Sequence, residues 1–142
     1  MSTLRNNLLI VATVGLMAVG GCATTGGNLS SSANRLERSA YALHGEARDD
    51  GARSGFQRDA RELAEEAREF RRTVEDRDAS KEDVRDAFSD VSKRYHAMRD
   101  EVERSRSRDA EREFQPVTEA YLDVEREMRS RDDRRDRYAR DE

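Results

Sequence analysis

The chain has few of the residues that crosslink or interrupt a fold. Its 142 residues contain one cysteine, Cys22, which excludes an internal disulfide. No glycine follows Gly55, and the single proline is Pro116. Turns in the C-terminal part of the chain must therefore be built from other polar residues. Only Pro116 is expected to distort a helix there, with a kink near residues 112–116.

The motifs of common catalytic and cofactor sites are also missing. There is no Cys-x-x-Cys-His haem-attachment motif, no His-Glu-x-x-His zinc motif, no glycine-rich phosphate loop and no Gly-x-Ser-x-Gly turn. The Glu-x-x-His pair of di-iron bundles needs a glutamate three residues before a histidine, where this chain has Tyr41 and Lys93. We therefore predict no catalytic residues, no cofactor and no enzymatic activity.

Charged residues make up 41% of the chain, a fraction that by itself is typical of disorder, but the apolar spacing indicates a folded domain. Four sets of apolar residues, each advancing by alternate steps of four and three, begin at Leu29, Phe56, Val84 and Ala110 and end at Ala47, Val74, Val102 and Met128. We call these positions the apolar stripe. Between residues 29 and 128, Leu122 is the one Leu, Val, Phe or Met outside it. This spacing gives each helix one narrow apolar face, as in coiled coils and four-helix bundles.

The stripe and its interruptions predict an all-α fold, an antiparallel up-down-up-down four-helix bundle over residues 33–128 with a heptad-spaced core. The four helices are expected at 33–47, 55–76, 81–103 and 108–128. Ser54 and Gln57 are expected to start the second helix with a capping box, and Ser80 is expected to cap the third. Between the third and fourth sets, only Ser105 and Ser107 indicate a turn. The alternative is therefore that the third and fourth helices form one continuous helix. Residues 129–142 are predicted to form a charged tail or a frayed helix end.

Two histidines are the candidates for a metal or haem site. His44 and His96 each follow a stripe residue, and they would lie at similar heights if the first and third helices run parallel. With Met98 they could ligate haem or copper, and His96 with Asp100 has the i, i+4 spacing of a metal-binding pair. The simpler interpretation is that both imidazoles cover the edge of the core. A bundle that binds a small ligand, a metal or haem is therefore the alternative function.

Arginine provides most of the positive charge, since Lys81 and Lys93 are the only lysines. Arginine binds phosphate and carboxylate groups in bidentate fashion, so the excess indicates either phosphate recognition or only a GC-rich genome. Acidic residues are interspersed with the arginines and the net charge is −4, which argues against nucleic acid as a partner.

The N-terminal segment has the shape of a signal peptide. One arginine precedes an uncharged apolar run, residues 8–19, and small residues follow it. The run is too short for a membrane-spanning helix, which needs about 20 apolar residues. The tetrad Val19-Gly20-Gly21-Cys22 resembles the lipobox of bacterial lipoproteins, with valine in place of the usual leucine and Gly20 in place of alanine or serine. The resemblance covers only residues 1–23.

In bacterial lipoproteins the signal peptide is cut before the lipobox cysteine, which then carries acyl chains. The resemblance implies a signal peptide at 1–21, lipidation of Cys22 and a lipidated flexible tether at 22–32. It also implies attachment to the periplasmic face of the outer membrane, because residue 23 is alanine and not the aspartate that retains such proteins in the inner membrane. We therefore expect a non-enzymatic lipoprotein whose bundle is a structural or protein-interaction module, with an envelope protein as partner and homo-oligomerisation as a further option.

Overall fold

The computed structural model describes residues 29–49 and 53–138, which form α-helices and contain no strand. The helices are α1 (Leu29–Asp49), α2 (Ser54–Glu75), α3 (Lys81–Ser105) and α4 (Arg108–Tyr138). Helices adjacent in sequence pack together and α4 packs against α1, whereas the described parts of the diagonal pairs, α1 with α3 and α2 with α4, make no backbone contact. This closed ring confirms the predicted all-α four-helix bundle.

The predicted boundaries differ from the structure at the start of the first helix and at the end of the last. The prediction of a tether over 22–32 is wrong for residues 29–32, because α1 begins at Leu29. Leu29 is the first residue of the apolar stripe and is completely buried, so its burial stabilises this extra turn of helix. At the other terminus, α4 continues beyond the last stripe residue, Met128, as far as Tyr138. The predicted signal peptide, residues 1–21, lies outside the described residues.

The apolar stripe forms the core. Every stripe residue is buried except Val74, Val84, Phe88 and Ala110, which pack against the core and keep partial exposure. Leu122, the residue that falls outside the spacing, is 47% exposed. Among the described residues, the buried core therefore runs from Leu29 to Met128.

The size of the stripe residues sets how closely the helices approach. α1 and α2 form the most closely packed pair, and each contributes several buried alanines, which allow two backbones to come near each other. α3 and α4 form the least closely packed pair. Their shared surface contains Tyr95, Phe114 and Tyr121, whose rings hold the two backbones further apart.

α2 begins within one residue of its predicted start, but the predicted cap is wrong. The N-cap residue is Arg53, which makes no side-chain capping bond, and Ser54 is already the first helical residue. A capping serine must precede the first helical residue, so Ser54 lies one position too late. Gln57 contributes differently, because its Nε2 donates a hydrogen bond to the Ala47 carbonyl oxygen at 3.3 Å and so links α2 to α1.

Ser80 caps α3 as predicted. Its Oγ accepts a hydrogen bond from the Asp83 amide at 3.1 Å, and the Asp83 carboxylate accepts one from the Ser80 amide at 2.8 Å. Hydrogen bonding with the Ser80 side chain and backbone holds the pKa of the Asp83 carboxyl below its usual range. The reciprocal bonds satisfy two amides that would otherwise lack a partner at the start of α3.

α3 and α4 are separate helices, so the fused-helix alternative is wrong. Arg106 follows the last residue of α3 and adopts a left-handed backbone conformation with a φ of 52°. Ser107 then leads into α4, where its Oγ accepts a hydrogen bond from the Ala110 amide at 3.3 Å. The left-handed residue ends one helix, and the serine hydroxyl satisfies an amide at the start of the next.

α4 continues through Pro116 without interruption. Proline has no amide hydrogen to donate to the carbonyl oxygen four residues earlier, which here belongs to Arg112. Pro116 lies on the exposed side of α4, where water can hydrogen-bond to that oxygen. The kink near residues 112–116 stays a prediction.

Replacing Ser80 by alanine is expected to lower the free energy of unfolding by about 1 kcal/mol, because the Asp83 amide loses its acceptor. Ser54→Ala is expected to have a much smaller effect, since Ser54 is not a cap. Ser89→Ala, on the exposed face of α3, controls for loss of a hydroxyl within a helix. Urea unfolding measures all three variants, and equal losses for Ser80→Ala and Ser54→Ala would contradict the assignment of the caps.

Candidate functional site

One end of the bundle carries the start of α1, the connection between α2 and α3, and the part of α4 that follows Met128. We call it the Leu29 end. The antiparallel packing places the start of α1 against the end of α2, with Ser30 Oγ donating a hydrogen bond to Glu75 Oε1 at 3.5 Å. Cys22 lies outside the described residues, but only residues 23–28 separate it from Leu29. Lipidation of Cys22 stays a prediction, and acyl chains on that residue would join the bundle at this end.

The structure does not bring the two candidate metal ligands, His44 and His96, together. α1 and α3 lie diagonally across the bundle, and their described residues make no backbone contact. His44 is half-buried on α1, whereas His96 is exposed. The His96 ring lies edge-on to Tyr95 and Tyr121, with ring centroids 5.3 and 6.0 Å away. Within the described residues, no three His, Cys, Asp or Glu side chains form a cluster that could hold a metal ion.

Stacked aromatic rings join α2, α3 and α4 in the interior. Tyr95 and Tyr121 stack almost parallel, with ring centroids 3.9 Å apart. Phe114 stacks on Tyr95 with a centroid distance of 5.5 Å, and Phe88 stacks on Tyr121 with a centroid distance of 5.8 Å. Phe70 of α2 extends the cluster to a third helix, 5.8 Å from Phe88. The sequence pattern predicts all five as stripe residues but gives no indication that their rings form one cluster, in which Phe70 is tilted against Phe88.

Both stacked tyrosines use their hydroxyl groups to bridge α3 and α4. Tyr121 donates a hydrogen bond from its hydroxyl to Ser92 Oγ at 3.1 Å, and Tyr95 donates one to Thr118 Oγ1 at 3.4 Å. Burial raises the pKa of the Tyr121 phenol above its usual range, and the bond with Ser92 opposes that shift. The Tyr121 phenol is therefore protonated at neutral pH, and its role in this arrangement is to orient two helices.

Several arginines of the described residues form ion pairs with acidic residues of another helix. These pairs are Arg35 with Asp123 at 2.8 Å and with Glu119 at 3.4 Å, Arg94 with Glu62 at 2.6 Å, and Arg71 with Glu37. The exposed pairs of Arg35 contribute about 0 to 1 kcal/mol each, whereas the pair of Arg71 with Glu37 is partly buried. Their presence gives these arginines an intramolecular role that requires no external phosphate.

A cavity of about 390 Å³ opens at the Leu29 end among α2, α3 and α4. Its apolar lining includes Val74, Val84 and Met128, the stripe residues nearest this end of their helices. Val74 and Val84 are only half-buried, since the loosely packed α3 and α4 leave the end of the core open. The remaining side chains that line the cavity are Thr73, Asp76, Ala79, Ser80, Lys81, Arg85 and Arg131. Sequence reasoning does not single out this cavity, because it arises from the ends of three helices that are distant in sequence.

None of the described helices combines the length and the apolar character that crossing a membrane requires. No protein-family model, curated protein or solved structure matches this chain. Two features of the chain itself therefore bear on its function. One is the N-terminal tetrad that ends in Cys22, and the other is a bundle whose apolar stripe is buried within a single chain.

Proposed function

We propose that the chain is a non-enzymatic envelope lipoprotein, held at the periplasmic face of the outer membrane by acyl chains on Cys22. Its bundle would act as a structural or protein-interaction module. The observation that carries this proposal is the tetrad Val19-Gly20-Gly21-Cys22, which directly follows a short apolar run and resembles a lipobox. Ala23 supports the outer membrane as the destination, as the same resemblance implies.

The start of α1 supports a close attachment of the bundle to the membrane. Because α1 begins at Leu29, residues 22–28 alone span the distance between the lipidated cysteine and the first helical turn. Even a fully extended segment of this length reaches only about 25 Å. The Leu29 end would therefore face the bilayer, and the connection between α3 and α4 would point into the periplasm.

The burial of the apolar stripe along the helix faces supports a partner that recognises polar helix surfaces. Among the described residues, the large hydrophobic side chains that stay exposed are Tyr41, at 38%, and Leu122, at 47%. Single exposed apolar side chains are ordinary on protein surfaces and form no extended patch. An envelope protein that binds this bundle would therefore contact its charged helix faces, and homo-oligomerisation would have to use the same faces.

Crosslinking in intact envelopes, followed by purification of the lipidated chain, tests this function. We expect one or a few envelope proteins to be recovered with the wild type. The variant Phe70→Asp, which disrupts the core, is the matched control and should lose them. Recovery of the same proteins with the disrupted variant would contradict a role for the folded helix surfaces. Sedimentation of the chain from residue 23 onward then measures its oligomeric state, which distinguishes partner binding from self-association.

Replacing both His44 and His96 by glutamine is expected to leave any envelope phenotype and the thermal melt unchanged. Glutamine keeps a polar side chain at each position but cannot act as an imidazole base or as a typical metal ligand. The measurement is complementation of a deletion strain, with the melt as a control for folding. Loss of function with an unchanged melt would favour the metal- or haem-binding alternative.

A further inference from the structure

The cavity at the Leu29 end has an apolar wall that belongs to the core. Val74, Val84 and Met128 continue the stripe of α2, α3 and α4 to the edge of the bundle, where half-buried side chains meet solvent. Binding of a hydrocarbon chain to such a surface is favourable, because the chain displaces water from the apolar side chains. The volume of about 390 Å³ lies within the range of pockets that hold small ligands.

The rim of the same cavity is cationic. Among the described lining residues, Lys81, Arg85 and Arg131 outnumber the one carboxylate, Asp76. Arg85 lies 4.0 Å from Glu82, a long ion pair. No salt bridge joins Lys81 or Arg131 to an acidic side chain of the described residues. Two cations on different helices, α3 and α4, therefore flank the opening and can bind an anionic group between them.

We propose that this cavity binds a single-chain anionic amphiphile, with a carboxylate or phosphate head group between Lys81 and Arg131. The hydrocarbon chain would lie against Val74, Val84 and Met128. Asp76 repels the head group and so directs it toward the two cations. The site is built from described residues alone and does not depend on lipidation of Cys22, so its test stands apart from that of the proposed function.

Binding is measured by calorimetry on the chain from residue 23 onward, which includes every described residue. The probes are sodium decanoate, decyl phosphate, 1-decanol, sodium acetate and inorganic phosphate, each below any concentration at which it aggregates. Saturable binding of decanoate or decyl phosphate at one site per chain is expected. The preferred head group identifies a fatty acid or a lipid phosphate as the source of the ligand. Acetate and inorganic phosphate are expected to bind far more weakly, because they lack the chain.

Lys81→Gln with Arg131→Gln is expected to weaken binding of the preferred amphiphile about tenfold or more, because two charge-assisted contacts are lost. The matched control, Arg53→Gln with Arg108→Gln, removes the same charge at the opposite end of the bundle and should leave the affinity almost unchanged. Val84→Phe keeps the cations but fills part of the cavity, and it should also weaken binding. Thermal melts of all variants check that each remains folded.

Four results would overturn the proposal. The first is that neither anionic amphiphile binds, and the second is that 1-decanol binds as tightly as the anionic probes. The third is that the cation variant and its control lose affinity equally, and the fourth is that acetate or inorganic phosphate binds as tightly as the amphiphiles. The first would show that the cavity takes no amphiphile, the second that the cations do not select the head group, and the third that only the overall charge of the chain matters. The fourth would exclude a role for the apolar wall.

Discussion

Replacing Phe70 by aspartate is expected to unfold the bundle. Phe70 is completely buried, and its ring lies 5.8 Å from that of Phe88 on the neighbouring helix. Loss of a buried phenylalanine alone costs about 3 to 5 kcal/mol, and a buried carboxylate without a partner adds to that cost. Domains of this size have a total stability of about 5 to 15 kcal/mol, so the change consumes most of it. Far-UV circular dichroism during thermal unfolding measures the result.

Leu122→Asp is the matched control, since it introduces the same charge at a hydrophobic position outside the stripe. Leu122 is 47% exposed, and a substitution at such a surface position is expected to change stability by no more than about 0.5 kcal/mol. Arg94→Ala breaks an exposed interhelical ion pair with Glu62 and is expected to cost at most about 1 kcal/mol. If Phe70→Asp melted like Leu122→Asp, the stripe would not be the core.

Replacing Cys22 by serine is expected to abolish lipidation and to remove the chain from the outer membrane. Serine is similar in size but has no thiol to form a thioether with a diacylglyceryl group. Stable anchoring takes more than one acyl chain, so if Cys22 is the anchor, its replacement would leave the bundle without acyl chains to hold it in the membrane. Labelling of cells with an alkyne analogue of palmitate, followed by membrane fractionation, measures both effects.

Ala23→Ser is the matched control for Cys22→Ser, since it alters the neighbouring residue while the lipobox cysteine stays in place. It should retain both the label and the membrane location. Equal labelling of wild type and Cys22→Ser would show that the acyl chains, if present, are attached elsewhere.

The core was predictable from sequence because helical periodicity depends on side chains close in sequence. Alternate steps of four and three identify one face of each helix. Leu122 does not fit the spacing, and it is also exposed and not part of the core. Ser80 was predictable as a cap for the same reason, since its partner Asp83 is three residues away. Local patterns therefore predicted the number of helices, their order and the greater part of the core.

Features that depend on how helices meet were not predictable. Ser54 and Gln57 have the spacing of a capping box, but Gln57 donates to the Ala47 carbonyl oxygen of the preceding helix. The start of α1 at Leu29 depends on burial against other helices; the stripe includes Leu29, but residues 29–32 carry no clear helix-start signal that places the boundary there. The separate third and fourth helices were predicted, but the left-handed conformation of Arg106 that ends α3 was not, because arginine rarely adopts it.

The candidate site was even less accessible to sequence reasoning. His44 and His96 share a position relative to the stripe, yet they lie on diagonal helices that make no backbone contact within the described residues. The cavity at the Leu29 end combines residues from α2, α3 and α4 whose numbers run from 73 to 131. Its charge and its opening follow from the relative placement of three helices, which spacing within one helix does not determine.

The intact mass of the chain purified from membranes tests directly whether the chain is a lipoprotein anchored through its single cysteine. The predicted mass is that of a chain beginning at Cys22 and increased by covalently attached acyl chains. A chain that begins at any other residue, or that begins at Cys22 without an added lipid mass, would contradict it.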